Sequence, residues 1–284
     1  MWSKYKSFKI IMIVFVITRL LVFAYPPVGV GDLDHYYTYS KLYAKTDVVS
    51  FFKTYKPEYP PLAMMSVYVP YKFLSNFDSF KNFSNQDQRM AYHHVFKMMI
   101  LLFDLISFVI FFSLLRKILK NNIKKIKWGL WWYIFAFMFL PELLYVRIDL
   151  IMTFLILLAL WFLVVKKSYI WSFLILAISI NFKLIPIVVA PVFILITLPN
   201  KLFTDCFNFK NIKEAAIKMF SRSVVLLSLC LLVVLPFLLT IKSSTWQFLK
   251  FHSERGLHIE SIYGLTTILK TYIGHPWQID NTHN

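Results

Sequence analysis

Residues 147–167 read RIDLIMTFLILLALWFLVVKK: two opposite charges, an uncharged apolar run from Leu150 to Val165, then two lysines. The run contains neither glycine nor proline and is apolar on every side of a helical projection, so it belongs to a helix surrounded by lipid or by other apolar helices. The rest of the chain decides which. It is 58% hydrophobic and 19% aromatic with only 16% charged residues, and its apolar residues fall in long blocks rather than in alternation. A spanning helix needs roughly 20 mostly apolar residues. The blocks at 8–25, 97–115, 128–145, 150–165, 169–182, 184–198 and 223–241 are candidate spans. The sequence therefore predicts an all-α, polytopic integral membrane protein of about seven transmembrane helices. A single domain covers residues 1–284, with no internal repeat and no low-complexity tract.

The formal charge of +17 would suit a nucleic-acid partner, but its placement argues against one. RKILKNNIKKIK (Arg116 to Lys127) is basic without an acid, Lys166 and Lys167 close the run quoted above, and Lys201 to Arg222 is mostly basic. With Lys4, Lys6 and Lys9 these fall on alternate sides of successive spans, the positive-inside pattern. The expected partner is the bilayer, with the N-terminus cytoplasmic. The outer face then holds residues 26–94, the turns at 141–149 and 181–183, and the tail from Lys242. FAYPP (residues 23–27) offers no small-x-small cleavage site, so the first span is expected to stay uncleaved. Cys206 and Cys230 do not suit a disulfide framework.

The first outer segment is too long for a simple connector. DHYYTYSKLYA (residues 34–44) sets Tyr36, Tyr39, Leu42 and Tyr43 at roughly helical spacing, and Leu62 to Phe77 is aromatic and amphipathic, with Lys72 as its cation. Helices of this kind prefer the membrane–water interface. In YKPEYPPL (residues 55–62) the prolines impose extended geometry on the residues before them. SNQDQ (Ser84 to Gln88) reads as a helix start.

Isolated charges outside the basic loops are the candidates for chemistry, because a charge at membrane depth is costly and pairs or lines a polar cavity. Arg19 and Asp104 lie inside the first two spans, where a buried pair and a direct role are both open. Arg147 and Asp149 sit at the outer end of the fourth span, either as a local pair or as ligand contacts. Lys183 either snorkels to the interface or binds. FHSERGLHIES (residues 251–261) adds His252, Glu254, Arg255, His258 and Glu260. GDLDHYY (residues 31–37) places Asp32 and Asp34 at the mouth of the first span, as a base, as metal ligands or as a solvated loop. Two residues apart, they would diverge by about 200° on a helix. Gly31 and the prolines before it favour an irregular entry with a helix beginning near Asp34, which suits an N-cap. That leaves Asp32 free to point over the bundle as a general base, with Asp34 supporting. His35, His93 and His94 read as interfacial histidines. No HxxxH or CxxC spacing supports zinc, and no glycine loop cradles a phosphate.

GDLDHYY, EYPPLAMM, RIDLIMTFLILLAL and NFKLIPIVVAPVFIL together resemble the GT-C membrane glycosyltransferases, most of all glycosyltransferase family 87, the bacterial polyprenyl-phosphomannose-dependent α-mannosyltransferases. The DLD also resembles the DxD of the eukaryotic first mannosyltransferase of the glycolipid-anchor pathway. The resemblance implies a GT-C-like bundle with a large first extracytoplasmic loop, in a bacterial inner or plasma membrane. It implies transfer of a hexose, mannose in that family, from a polyprenyl-phosphate sugar to a glycolipid or glycan acceptor; no cofactor is expected, and metal assistance at the two acids is the alternative to a general base. Asp32 is then the catalytic carboxylate and Asp34 its companion. Lys183, Arg147 and Arg255, with His252 and Tyr59, would hold the donor phosphate and substrate, and Arg19, Asp104, Asp149 and Glu254 would support them. Family members run longer, so a truncated or minimal member is expected. A transporter or lipid flippase, or a non-catalytic subunit of a glycan-assembly complex, is the alternative. A flippase would show paired halves, which this sequence lacks.

Overall fold

A computed structural model describes residues 2–24, 31–139, 144–199 and 209–254. All regular structure among them is helical. The chain opens with α1 (Trp2–Ala24), then builds a group of shorter helices: α2 (Gly31–Lys45), α3 (Val48–Tyr55), α4 (Pro61–Leu74) and α5 (Asp78–Asn82). The long α6 (Asn85–Ile118) follows, then α7 (Ile123–Ala136), α8 (Asp149–Val164), α9 (Tyr169–Phe182), α10 (Ala190–Ile196), α11 (Phe209–Ile241) and α12 (Gln247–Glu254). Short 3₁₀ turns cover Phe137–Phe139, Ile185–Val189 and Lys242–Trp246.

Local chemistry explains several of these boundaries. The Ser84 hydroxyl accepts from the Asp87 backbone N–H at 3.2 Å, so α6 starts where SNQDQ predicts. Asp47 caps α3 in the same way, its Oδ1 accepting from the Ser50 N–H at 3.0 Å. Pro60 is extended (φ −55°, ψ 154°) and Pro61 takes the first turn of α4, where a missing N–H costs nothing. The block 184–198 does not form one helix: Pro186 and Pro191 each withhold a backbone donor, and a 3₁₀ turn gives way to the short α10. The block 128–145 is also interrupted, since α7 stops at Ala136 and residues 145–148 form turns. The expected helix start near Asp34 is corrected as well. α2 begins at Gly31, which puts both Asp32 and Asp34 in its first turn, where negative charge offsets the helix dipole.

Two stretches, Asn85–Ile118 and Ile212–Glu254, are helical, long and apolar enough to cross a membrane by length and composition; Asp149–Val164, Tyr169–Phe182 and Ile185–Ile196 are apolar but shorter. α8 lies between α6 and α9, and α9 packs on α11. One apolar cluster joins Val22 of α1 to Leu33 and Tyr36 of α2, Tyr92, Phe96 and Ile100 of α6, and Tyr145 and Ile148. A second joins α8, α9, α10 and α11 through Ala159, Phe173, Leu176, Phe193 and Leu226. A third lies at the far end of α6, where Ile126, Leu130 and Ile134 of α7 meet Ile11, Phe15 and Phe108. There Gly129 lets α7 approach α6 closely: a β-carbon on it would stand 2.8 Å from Cδ1 of Leu115.

Candidate functional site

The face of α2 explains where the two acids go. Leu33, Tyr36, Tyr37 and Ser40 are buried at helical spacing, so α2 lies flat on α4 and α6. Asp32 stands one turn from Tyr36, and Asp34 one turn from Tyr37, on opposite flanks of that buried stripe. The divergence expected of a helix is therefore realised, and each acid meets its own partners.

Asp32 Oδ2 accepts from Arg147 Nε at 2.7 Å, across 115 residues of chain. Both side chains are part-exposed, 32% and 43% respectively. Beside them the buried Tyr36 donates its hydroxyl to that of Tyr59 at 3.2 Å. Tyr59 forms a partly exposed wall, with Lys183 Nζ 5.9 Å from its ring centre, and Lys183 pairs with Asp149. The turn at 145–148 carries Arg147, the first turn of α8 carries Asp149, and the extended residue after α9 is Lys183. Six side chains from five separate segments thus meet at the Asp149 end of the bundle: Asp32, Tyr36, Tyr59, Arg147, Asp149 and Lys183.

The electrostatics of this group are set by burial and by neighbouring carboxylates. Burial pushes the Tyr36 and Tyr59 hydroxyls well above the usual phenol value, reinforced at Tyr36 by Tyr59 and at Tyr59 by Glu58, with Asp32 adding to both. Both remain neutral hydrogen-bonding groups at physiological pH. Burial alone would weaken the Arg147 charge, but the Asp32 carboxylate and its hydrogen bond outweigh it, so the guanidinium is raised further. Among the described residues Asp32 Oδ1 and the two terminal nitrogens of Arg147 take no hydrogen-bond partner. Among the described residues the pair therefore leaves one acceptor and a fork of donors unused.

Asp34 has a different environment. Its Oδ1 lies 3.0 Å from Nε2 of the buried His93, and its Oδ2 3.5 Å from Arg89. The His93 contact is close enough for an ion pair but is not aligned as a hydrogen bond, which leaves both atoms without one. These contacts tie α2 to α6. His93, expected as an interfacial histidine, is buried against Asp34, and Arg89, absent from the expected site residues, joins it. Their i, i+4 spacing on one face of α6 was the available signal.

The remaining predicted residues separate from the cluster. Arg147 and Asp149 do not form a local pair, since each is matched to a residue far away in sequence. Arg19 and Asp104 form a buried pair, with Arg19 Nε donating to Asp104 Oδ2 at 2.7 Å. Tyr133 and Tyr145 donate to the same carboxylate at 2.8 and 3.0 Å, and Ile134 O accepts from Arg19 Nη1 at 3.2 Å. So enclosed, this pair joins α1, α6 and α7 and offers no surface to a ligand. His252 is exposed on α12, and Glu254 pairs with Lys250 at 3.5 Å. No contact among the described residues brings either to Asp32. Arg255, His258 and Glu260 lie outside the described residues. Among the described residues no group of three or more His, Cys, Asp or Glu stands ready to hold a metal ion.

Two open grooves lie away from this cluster: one of about 970 Å³ runs along α7, and another of about 520 Å³ lies between α1, α6 and α7. The side chains of the chemistry-bearing cluster are themselves part-exposed: Asp32, Arg147, Asp149 and Lys183 all retain some accessible surface. Compared with family models, with curated proteins and with solved structures, the chain matches none.

Proposed function

We propose that the chain is a polytopic membrane glycosyltransferase. It moves a hexose, mannose by the family resemblance, from a polyprenyl-phosphate donor to a glycolipid or glycan acceptor on the extracytoplasmic side. The observation that carries this reading is the part-exposed Asp32–Arg147 pair, in which one carboxylate oxygen and the terminal guanidinium nitrogens take no hydrogen-bond partner among the described residues, in one cluster with Tyr59 and Lys183. A sugar on a lipid phosphate is already activated, so the site needs a base, cations for the leaving phosphate and a place at the membrane surface. In the proposed step the acceptor hydroxyl gives its proton to Asp32 Oδ1 as its oxygen bonds to the anomeric carbon. The carbon–oxygen bond to the lipid phosphate breaks, and its electron pair leaves on the phosphate. Arg147 orients the base through Nε and meets the developing phosphate charge with its free edge. Lys183 adds a second cation, and Tyr59 lines the space between them.

The membrane half of the reading rests on the outward faces of the helices. α6 has 34 residues, about 50 Å at helical rise, against roughly 30 Å of hydrocarbon. Its first turns therefore stand clear of the lipid, where they hold α2. Ile13, Val16, Ile17, Leu20 and Leu21 of α1 are exposed, as are Leu227, Leu231, Leu232 and Leu239 of α11. Exposed apolar rows of this extent suit lipid rather than water.

The test is a transfer assay in membranes carrying the intact protein, with radiolabelled mannosyl polyprenyl-phosphate and endogenous acceptor. Transfer above that of membranes lacking the protein is expected, with loss in Asp32→Asn at unchanged protein level. Absence of transfer from mannosyl, glucosyl and galactosyl donors alike would remove the assignment.

A further inference from the structure

The bundle carries a second feature at its opposite, basic end, which sugar transfer does not use. Trp128, Trp132, Phe135 and Phe139 follow one another at 4, 3 and 4 residues and form a single stripe on α7 and the turn after it. They are 61%, 66%, 46% and 78% exposed. The opposite stripe of α7 (Ile126, Leu130 and Ile134) is buried against α1 and α6, so the aromatic stripe faces away from the bundle. It lines the groove of about 970 Å³, whose basic end carries Lys124 and Lys127. Among the described residues neither lysine has a carboxylate partner, and Lys127 only lies 5.7 Å from the Phe8 ring. The first turn of α7 carries no acid, so these cations stand at the end of the helix where its own dipole disfavours them. Lys120 and Asn121, in left-handed backbone (φ 48° and 60°), turn the chain sharply from α6 into α7 and hold Arg116 near the same end.

We propose that this groove is a binding site for an anionic phospholipid of the surrounding bilayer. The lipid phosphate lies between Lys124 and Lys127, and its acyl chains run along Trp128, Trp132 and Phe135. Charge complementarity selects this occupant. The apolar stripe alone would accept any lipid or a second copy of the chain, but two unpaired lysines and Arg116 at one end disfavour a second identical basic surface and favour a negative headgroup. Aromatic rings at this level suit the headgroup boundary. The proposal rests on the membrane half of the reading above and not on sugar transfer.

The intact protein, reconstituted into phosphatidylcholine vesicles, is titrated with brominated phosphatidylglycerol or brominated phosphatidylcholine, which quench nearby tryptophans. Phosphatidylglycerol is expected to reach half-quenching of the responsive emission at a mole fraction on the order of tenfold lower, from two lysine contacts at the membrane surface. That excess should vanish in Lys124→Gln/Lys127→Gln and in Trp128→Phe/Trp132→Phe. Retained quenching by phosphatidylcholine shows that the variants are folded and embedded. Equal quenching by the two lipids in the native chain would overturn the site while leaving the membrane reading intact. So would an excess that survives both double substitutions. No quenching by either lipid would overturn the membrane reading, and this site with it.

Discussion

Asp32 and Asp34 are two residues apart in one helical turn, yet they face unlike surroundings, and that difference assigns their roles. Asp32 Oδ2 is held by Arg147 and Oδ1 is open among the described residues, whereas both oxygens of Asp34 face His93 and Arg89. Asp32→Asn keeps the shape and removes the proton acceptor, so transfer should fall by roughly 10²–10⁴ with the protein still folded and binding donor. Asp34→Asn should cost less in turnover and more in stability, which thermal unfolding in detergent would register; the reverse ranking would exchange the two roles. Lys183→Met keeps the stem and removes the charge. Donor use should weaken about ten- to a hundredfold while acceptor use changes little, read from kcat/KM for each substrate. Unchanged donor affinity would remove Lys183 from the site. The raised phenols of Tyr36 and Tyr59 add a pH test. Their folded values lie above the ordinary 10.0, so the stability they contribute is whole below that pH and declines as pH rises past it. Tyr36→Phe/Tyr59→Phe should flatten the alkaline limb of the stability curve, and an unchanged limb would show that the pair does not govern it. At this scale the sequence revealed residue types and their shared end of the bundle, but not pairings. Arg147 and Asp149 are near neighbours in sequence, and the packing of α2 on α6 and of α9 on α8 brings Asp32 to one and Lys183 to the other.

At the scale of elements, helix starts were legible where the cap is written in adjacent residues, as at Ser84 and Pro61, and illegible where backbone chemistry cuts an apolar run. Hydropathy reads 184–198 as one span because Pro186 and Pro191 are themselves apolar; their missing donors divide it. The group of short helices was visible as aromatic spacing, but the register of α2 was misplaced by a turn because Asp34 looks like a cap as much as Asp32 looks like a first-turn acid. For Arg19 and Asp104 the sequence left a buried pair and a direct role equally open; the packing of α1 on α6 decides for the pair, and its further partners Tyr133 and Tyr145 had no signal in the sequence. That pair fastens α1 to α6 and α7. Removing one member strands a buried charge, which costs about 3–5 kcal/mol, whereas removing both together avoids that penalty. Arg19→Met and Asp104→Leu should each lower the yield of folded protein sharply, and Arg19→Met/Asp104→Leu should recover much of it. A double variant as unstable as the sum of the singles would show that the two residues act independently.

For the whole molecule the distribution of charge makes the strongest claim. The cluster of Asp32, Arg147, Asp149 and Lys183 occupies one end, and Arg116, Lys117, Lys120, Lys124, Lys125, Lys166 and Lys167 lie in or next to the terminal turns at the opposite ends of α6, α7 and α8. Cations without acids follow the cytoplasmic side of a bundle, which would leave the ion-paired cluster facing out, where lipid-linked sugars with no nucleotide would have to be met. The proposed activity and the proposed lipid site depend on that sidedness in opposite senses, so one experiment tests the frame of both. With Cys206 and Cys230 replaced by serine, a single cysteine at Ser84 or Ser253 should react with an impermeant thiol reagent in intact cells. One at Asn121, exposed in the turn between α6 and α7, should react only after permeabilisation. Ser84 and Asn121 flank α6 itself, so opposite accessibility would also establish that this helix crosses the bilayer. Labelling of both from outside would make α6 a surface or core helix and dissolve the lipid groove; labelling of Asn121 alone would invert the molecule and place Asp32 in the cytoplasm, where a nucleotide-sugar donor becomes the natural alternative.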